Sequence, residues 1–189
     1  MRRRGSRRRA GSIARALALG CVAVLGLAGC GVGANSSPAS FPVSSIGPSA
    51  GVTGATAQTR GVIASALSSV AVQFGDATRP YRPPESSRLR DAPRAVYQVV
   101  LPDQPDVGFV LVYELTDAAA AVDAGNEEAG FLGTGPARVN FPRDAQHVLR
   151  QVGPTLILFS WSPSDPDAAA EGSVASALGT IGIGFTVPN

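Results

Sequence analysis

From residue 61 onward, hydrophobic residues recur with two different periods. A first set is spaced by three and four residues, which predicts a helix over residues 61–73. Its members are Val62, Ile63, Ala66, Leu67 and Val70. Two later runs, residues 95–101 and 109–113, are short and rich in Val, Tyr and Leu, which is typical of strands. The Pro- and Asp-containing segment between them predicts a turn, so the two strands are expected to form an antiparallel hairpin.

An alanine-rich helix is predicted after this hairpin. Thr116 is the expected N-cap, and Asp117 lies in the first turn, where a negative charge is favourable. The run continues to Leu132 and is closed by Gly133, because glycine commonly ends helices.

A second hairpin and a last helix are predicted in the C-terminal part. Residues 147–152 and 155–161 are strand-like and are separated by a Gly-Pro pair, which predicts a tight turn. Asp165 as N-cap and Pro166 at the first helical position predict the start of the last helix. Its buried stripe is expected to comprise Val174, Leu178 and Ile181.

These elements follow the order α-ββα-ββα. Two hairpins that each lead into a helix predict an α+β fold, with an antiparallel sheet of about four strands and helices packed on one face. Residues 61–189 are therefore expected to form a single globular domain, long enough to bury a sizeable core.

Several segments of this domain together resemble a group of small bacterial lipoproteins. They are the Val-Ile-x-x-Ala-Leu helix at residues 62–67, the Pro-rich loop after it, the strand 110–114 with its alanine-rich helix, and the strand 156–159. The resemblance covers most of residues 61–181 and consists mainly of core positions. It implies no activity, and no catalytic residue is carried over from it.

The N-terminus has the three parts of an export signal. Seven arginines precede an uncharged apolar run over residues 16–29, and small residues end it. Leu27-Ala28-Gly29-Cys30 resembles the lipobox of a bacterial lipoprotein precursor. That resemblance implies removal of residues 1–29, a diacylglycerol and further acyl groups on Cys30, and attachment to the extracytoplasmic face of the cell membrane, or to the outer membrane of a two-membrane bacterium.

Two alternatives to the lipoprotein interpretation remain. A permanent membrane helix needs roughly 20 apolar residues, and the run over residues 16–29 is shorter and followed by no stop-transfer charges. An ordinary secretory signal with a coincidental cysteine would also end in small residues. Leu27, three positions before the cysteine, favours the lipobox.

Residues 30–60 are expected to be the lipidated Cys30 and a flexible tether. No charged residue occurs between 31 and 59, where Gly, Ser, Ala, Pro and Thr dominate. Such a segment buries too little apolar surface to offset its ordering entropy. A flexible chain of this length has a root-mean-square reach of about 30 Å.

Processing would reverse the sign of the net charge. Seven of the sixteen basic residues lie in the signal and all fourteen acids follow Cys30, so the mature chain carries −5 rather than +2. The sequence therefore gives no argument for nucleic-acid binding. Cys21 is lost with the signal and Cys30 is lipidated, which leaves no disulfide and no thiol for catalysis or a metal.

His147 is the only histidine of the chain. A zinc site would need further His or Cys ligands at suitable spacing, so neither a metal nor another cofactor is expected. The sequence has no Gly-x-Ser-x-Gly motif and no lysine, but a Ser–His–Asp triad that uses His147 stays open because triad members need not be sequence neighbours. A hydrogen-bonded or surface histidine is the simpler interpretation.

Two aromatic residues, Phe159 and Trp161, are expected on one face of the last predicted strand. Core packing is the simpler role for such a pair. The alternative is a shelf that contacts a ligand.

The Pro-rich loop between the first helix and the first hairpin is the most basic part of the mature chain. It is a candidate anion-binding site, because guanidinium groups bind carboxylate and phosphate through paired donors. Its arginines are Arg79, Arg82, Arg88, Arg90 and Arg94, against the acids Glu85 and Asp91. The alternative is a solvated loop whose arginines pair with acids of the same domain.

These observations predict a non-enzymatic, lipid-anchored protein of the cell envelope. Its domain would bind or position a partner, such as an anionic envelope polymer or another protein, while the acyl groups on Cys30 attach the protein to the membrane. The competing class is a cofactor-free envelope hydrolase that uses His147. A solute-binding lipoprotein of a transporter ranks last, because such proteins usually need two lobes around a cleft.

Overall fold

A computed structural model describes residues 53–188, so Cys30, the predicted signal and nearly all of the predicted tether lie outside the described residues. The helices are α1 (Gly54–Leu67), α2 (Ser87–Asp91), α3 (Ala118–Leu132), α4 (Gly135–Arg138) and α5 (Ala168–Gly179). The strands are β1 (Gln73–Asp76), β2 (Arg94–Val100), β3 (Gly108–Glu114), β4 (Gln146–Val152), β5 (Thr155–Trp161) and β6 (Ile183–Phe185). In this part of the chain, no helix is long and apolar enough to cross a membrane.

The six strands form one open antiparallel sheet in the order β1-β2-β3-β5-β4-β6. The two predicted hairpins, β2–β3 and β4–β5, are present and are joined side by side, because β3 pairs with β5. Leu158 of β5 marks the register, since it lies opposite Leu111 of β3 and Leu149 of β4.

Helices cover both faces of this sheet, so the prediction of helices on one face is wrong. Ile63 of α1 and Leu178 of α5 pack against one face, and Leu132 of α3 packs against the other. The reason lies in the central strands: in β5, Ile157 and Leu158 point to opposite faces, and both are fully buried. A strand that is apolar on both sides needs cover on both sides.

The sheet also has six strands rather than about four. The two additional strands, β1 and β6, are the edges of the sheet and span only four and three residues. Each contains a glycine, Gly75 in β1 and Gly184 in β6, and glycine is depleted in strands. Strands this short carry too few alternating positions to be recognised from sequence.

Helix α1 begins at Gly54 rather than at residue 61, so residues 54–60, predicted to belong to the tether, are helical. The apolar pattern missed this turn because its buried residues are Thr56 and Thr59. Glu114, at the end of β3, accepts hydrogen bonds from the Thr53 backbone N–H (2.9 Å) and the Thr56 hydroxyl (2.6 Å), and from the Thr53 hydroxyl. Burial alone would raise the pKa of Glu114, but these bonds bring it below its ordinary value.

Two predicted N-caps are displaced. Asp117, not Thr116, caps α3 and accepts from the Ala120 backbone N–H at 2.8 Å. Asp167, not Asp165, is the residue that precedes α5. In both cases the predicted cap lies one or two residues too early, which is typical of helix ends read from sequence.

Candidate functional site

The Pro-rich loop is fixed to the sheet by a buried carboxylate, Glu85. The Glu85 side chain is only 2 % exposed and is paired with Arg94 at 2.6 Å and Arg82 at 3.1 Å. The Tyr113 hydroxyl of β3 donates to the same carboxylate at 2.8 Å. Burial, and then the negative charge of Glu85, raise the pKa of Tyr113 well above its ordinary value, so the phenol stays protonated. We call these four residues the Glu85 cluster.

A second buried carboxylate, Glu128 of α3, holds the same loop. It is fully buried and accepts the Ser86 backbone N–H at 2.8 Å. Burial raises the pKa of Glu128. Its other oxygen has no hydrogen-bond partner in the part of the chain that the structure describes. The loop between β1 and β2 is thus held by the interior of the domain at two points.

The other loop arginines do not form one anion-binding surface. Arg88 pairs with Glu127 of α3 at 2.8 Å, and Arg79 donates to the Asp106 carbonyl. Of the five candidate arginines, only the Arg90 guanidinium forms no ion pair or hydrogen bond with residues 53–188. The alternative, arginines paired within their own domain, therefore describes most of this loop, and anion binding by it stays a prediction.

A large open cleft lies beside the start of β4. Its volume is about 1200 Å³, and its walls come from the end of α3, from α4, from the segment between α4 and β4, and from residues 187–188. We call it the His147 cleft; its lining includes Leu132, Arg138, Phe141, Arg143, His147 and Val187. The local sequence explains this wall: Gly133 follows the end of α3, and Pro136 is the second residue of the single-turn helix α4.

His147 and Ser160 form a hydrogen-bonded pair at this cleft. The two residues are direct cross-strand partners in β4 and β5, and His147 Nδ1 lies 2.8 Å from Ser160 Oγ. The Phe141 ring meets the imidazole edge-on, with 4.9 Å between ring centroids. Burial lowers the pKa of His147, so the ring is mostly neutral at neutral pH.

A complete Ser–His–Asp triad is not assembled. Among the described residues, no carboxylate is hydrogen-bonded to His147. The nearest acid in sequence, Asp144, accepts from Ser162 Oγ at 2.8 Å and from Ser164, and these bonds lower its pKa. The described residues also contain no cluster of three His, Cys, Asp or Glu side chains able to hold a metal ion.

Two arginines and one acid, Asp144, give the lining of the His147 cleft a net charge of +1. Arg138 and Arg143 both line it, and neither forms an ion pair or a side-chain hydrogen bond with residues 53–188. Neither residue was a candidate from sequence, because they are isolated along the chain and carry no motif.

A second cavity of about 500 Å³ adjoins the cleft. We call it the aromatic pocket; its lining includes Tyr81, Asn140, Phe141, Ser160, Trp161 and Asp165. Phe141, Pro142 and Ala145 line both cavities, so one short segment forms the wall between them. The predicted aromatic pair lies on one face of β5: Phe159 is fully buried in the core, and Trp161 is partly buried, packs against the same cluster and also lines this pocket.

The carboxyl group of Glu171 titrates near the aromatic pocket. Glu171 of α5 is 4 % exposed, and burial, followed by the charges of Asp165 and Asp167, raises its pKa to about 7. Asp167 accepts the backbone N–H groups of Asp103 (3.0 Å) and Gln104 (2.7 Å), which ties the β2–β3 turn to the start of α5. The charge of the Glu171 side chain, near Asp165, therefore changes across the neutral pH range.

No protein family, curated protein or solved structure matches this chain.

Proposed function

We propose that this protein is a non-enzymatic, lipid-anchored protein of the bacterial cell envelope, and that its domain binds an anionic ligand in the His147 cleft. The anchor rests on the lipobox-like segment that ends at Cys30. The ligand site rests on one observation: the His147 cleft, with a volume of about 1200 Å³, presents two arginines that form no ion pair with residues 53–188.

Charge distribution favours the cleft over the Pro-rich loop as the anion contact. A guanidinium that already pairs with a buried carboxylate would have to give up that partner before it could bind a ligand. Arg82 and Arg94 share Glu85 in this way, whereas Arg138 and Arg143 form no ion pair within residues 53–188 and can contact a carboxylate or phosphate. A partly apolar cavity of this size also suits a ligand better than a flat charged surface does.

Replacing Cys30 by serine tests the anchor. We expect the wild-type protein, expressed in a bacterial host, to partition almost entirely with membranes and to carry the mass of at least two acyl chains, because two chains are needed for stable attachment. The Cys30→Ser protein should be unacylated and should keep residues 1–29, because the lipobox resemblance makes both acylation and cleavage depend on Cys30. Cys21→Ser is the matched control, and its partition and mass should equal those of wild type. Wild-type protein without added lipid mass would contradict the anchor.

A cofactor-free hydrolase is the second candidate, and the His147–Ser160 pair is the observation that favours it. A neutral imidazole bonded to a serine hydroxyl is the core of a nucleophilic site, although the acid that orients the base is missing among residues 53–188. Under our proposal, a fluorophosphonate probe does not label the protein. Covalent labelling that is lost in both Ser160→Ala and His147→Gln, and kept in Ser162→Ala, would replace the binding proposal with the enzymatic one.

A further inference from the structure

The aromatic pocket combines ring surfaces with unused polar groups. Trp161 and Tyr81 line it, and one face of Tyr81 is covered by Phe109, with ring centroids 4.3 Å apart and 8° between the planes. Neither the Tyr81 hydroxyl nor the Trp161 indole N–H is hydrogen-bonded to another of the described residues, and neither atom is among their buried unpartnered atoms. Both therefore stay available to solvent or to a ligand.

Two further polar side chains in this pocket have unused capacity. The Asn140 amide donates to the Pro136 carbonyl at 2.9 Å, which leaves the oxygen of its side chain free to accept. The Asp165 carboxylate forms no ion pair or side-chain hydrogen bond with residues 53–188. Donors and acceptors thus surround the aromatic rings.

This combination fits a saccharide ring. A pyranose has an apolar face of C–H groups that packs on an aromatic ring, and a rim of hydroxyls that both donate and accept hydrogen bonds. An acyl chain fits less well, because it would desolvate the Asn140, Asp165 and Tyr81 polar groups without replacing their hydrogen bonds.

The pocket and the positively charged cleft lie side by side and share the wall formed by Phe141, Pro142 and Ala145. A chain of sugars seated on Trp161 would therefore carry its next units toward Arg138 and Arg143. From this juxtaposition we infer that the ligand is an acidic glycan, with one ring in the aromatic pocket and a carboxylate-bearing ring in the His147 cleft. The inference rests on the proposed function, because it uses the anion contact assigned there.

Trp161 is the only tryptophan of the chain, so its fluorescence reports on this pocket alone. We propose to titrate the full-length protein, held in phosphatidylcholine nanodiscs, with a tetrasaccharide of alternating glucuronate and N-acetylglucosamine. The neutral probe is the tetrasaccharide of N-acetylglucosamine. The acidic probe should change Trp161 emission saturably and bind about tenfold more tightly than the neutral one.

Matched variants separate the two contacts. The double variant Arg138→Gln, Arg143→Gln should weaken binding of the acidic probe about tenfold and leave the neutral probe unchanged. Arg88→Gln removes a charge that pairs with Glu127 and should change neither affinity. Trp161→Ala, measured by calorimetry, should weaken both probes about tenfold. Asp165→Asn provides a second test should Trp161→Ala fail to fold, with a several-fold loss for both probes.

The two proposals fail in different ways. If neither sugar binds, while octanoate or inorganic phosphate binds in a manner that needs Arg138 and Arg143, the glycan inference is overturned and the anion-binding function stands. If both sugars bind equally and the arginine variants have no effect, the acidic character of the ligand and the anion-binding function are overturned together. Absence of binding by all four probes overturns both.

Discussion

Replacing Glu85 by alanine is expected to lower the free energy of unfolding by about 3–5 kcal/mol. The change leaves Arg94 beside the core without its acid, and it removes the acceptor of the Tyr113 hydroxyl at the same time. Losing one partner of a buried ion pair costs more than the pair contributes, because the remaining charge stays desolvated. Arg94 is 21 % exposed, so water offsets part of this loss and the lower end of the range applies.

Urea denaturation of the full-length protein, followed by Trp161 fluorescence and far-UV circular dichroism, measures this change. Glu127→Ala is the matched control: Glu127 also pairs with a loop arginine, Arg88, but the pair is exposed. Exposed ion pairs contribute little, so we expect a loss of less than about 1 kcal/mol there. Equal losses for the two variants would show that the Glu85 cluster does not hold the loop. Glu85→Gln keeps a hydrogen-bond acceptor for Tyr113, so its loss of stability should lie between those of Glu85→Ala and Glu127→Ala.

Replacing Gly182 by alanine is expected to lower the free energy of unfolding by about 2–4 kcal/mol, because it introduces both backbone strain and a steric clash. Gly182 has φ +47°, a conformation that residues with a Cβ rarely adopt. A Cβ placed there would overlap the Gln151 carbonyl oxygen of β4. Because β6 pairs with β4 directly after this residue, relief of the clash would displace an edge strand of the sheet.

Gly153 provides the matched control for this variant. It also has a positive φ, +56°, but a Cβ there would meet no atom within 4 Å. Gly153→Ala should therefore lower the free energy of unfolding by only about 1 kcal/mol, the cost of the left-handed backbone conformation for a residue with a Cβ. The difference between the losses of the two alanine variants, measured by the same urea titration, gives the cost of the steric clash between a Cβ at position 182 and β4. A Gly182→Ala loss no larger than that of Gly153→Ala would contradict the steric argument.

The central strands β3 and β5 could be predicted because they are apolar over most of their length, and the turn residues beside them predicted both hairpins. The apolar character of these strands on both sides also shows why the prediction of helices on only one face was wrong. In β3 and β5, successive residues such as Leu156 and Ile157 are all apolar, so the alternation that marks an exposed face is absent. A two-sided arrangement could have been predicted from that absence.

The first turn of α1 and the edge strands could not be predicted from hydrophobic pattern. Thr56 and Thr59 are buried by hydrogen bonding, to Glu114 and Thr155 respectively, and not by apolar character. The partners lie 58 and 96 residues away along the chain, so no local signal marks these positions.

The site was accessible to sequence reasoning only in part. His147 was a candidate because it is the only histidine, and Trp161 because it shares a strand face with Phe159. Ser160 could have been found as well: a two-residue turn between Val152 and Thr155 fixes the hairpin register, and counting outward pairs His147 with Ser160. Arg138 and Arg143 could not have been found from sequence, because they become site candidates only through the cavity that they line, which is formed by segments distant in sequence.

The contact between Thr53 and Glu114 determines where the chain enters the folded domain. Glu114 lies opposite Thr155 at one end of the sheet, and the pair His147–Ser160 lies near the other end, about 17 Å further along β5. Under the proposed function, the attachment point of the tether and the ligand site therefore lie at opposite ends of the sheet. A domain attached to the membrane at its Thr53 end would direct the His147 cleft away from the bilayer. A change in tether length would then alter the distance that the domain reaches without altering its ligand site.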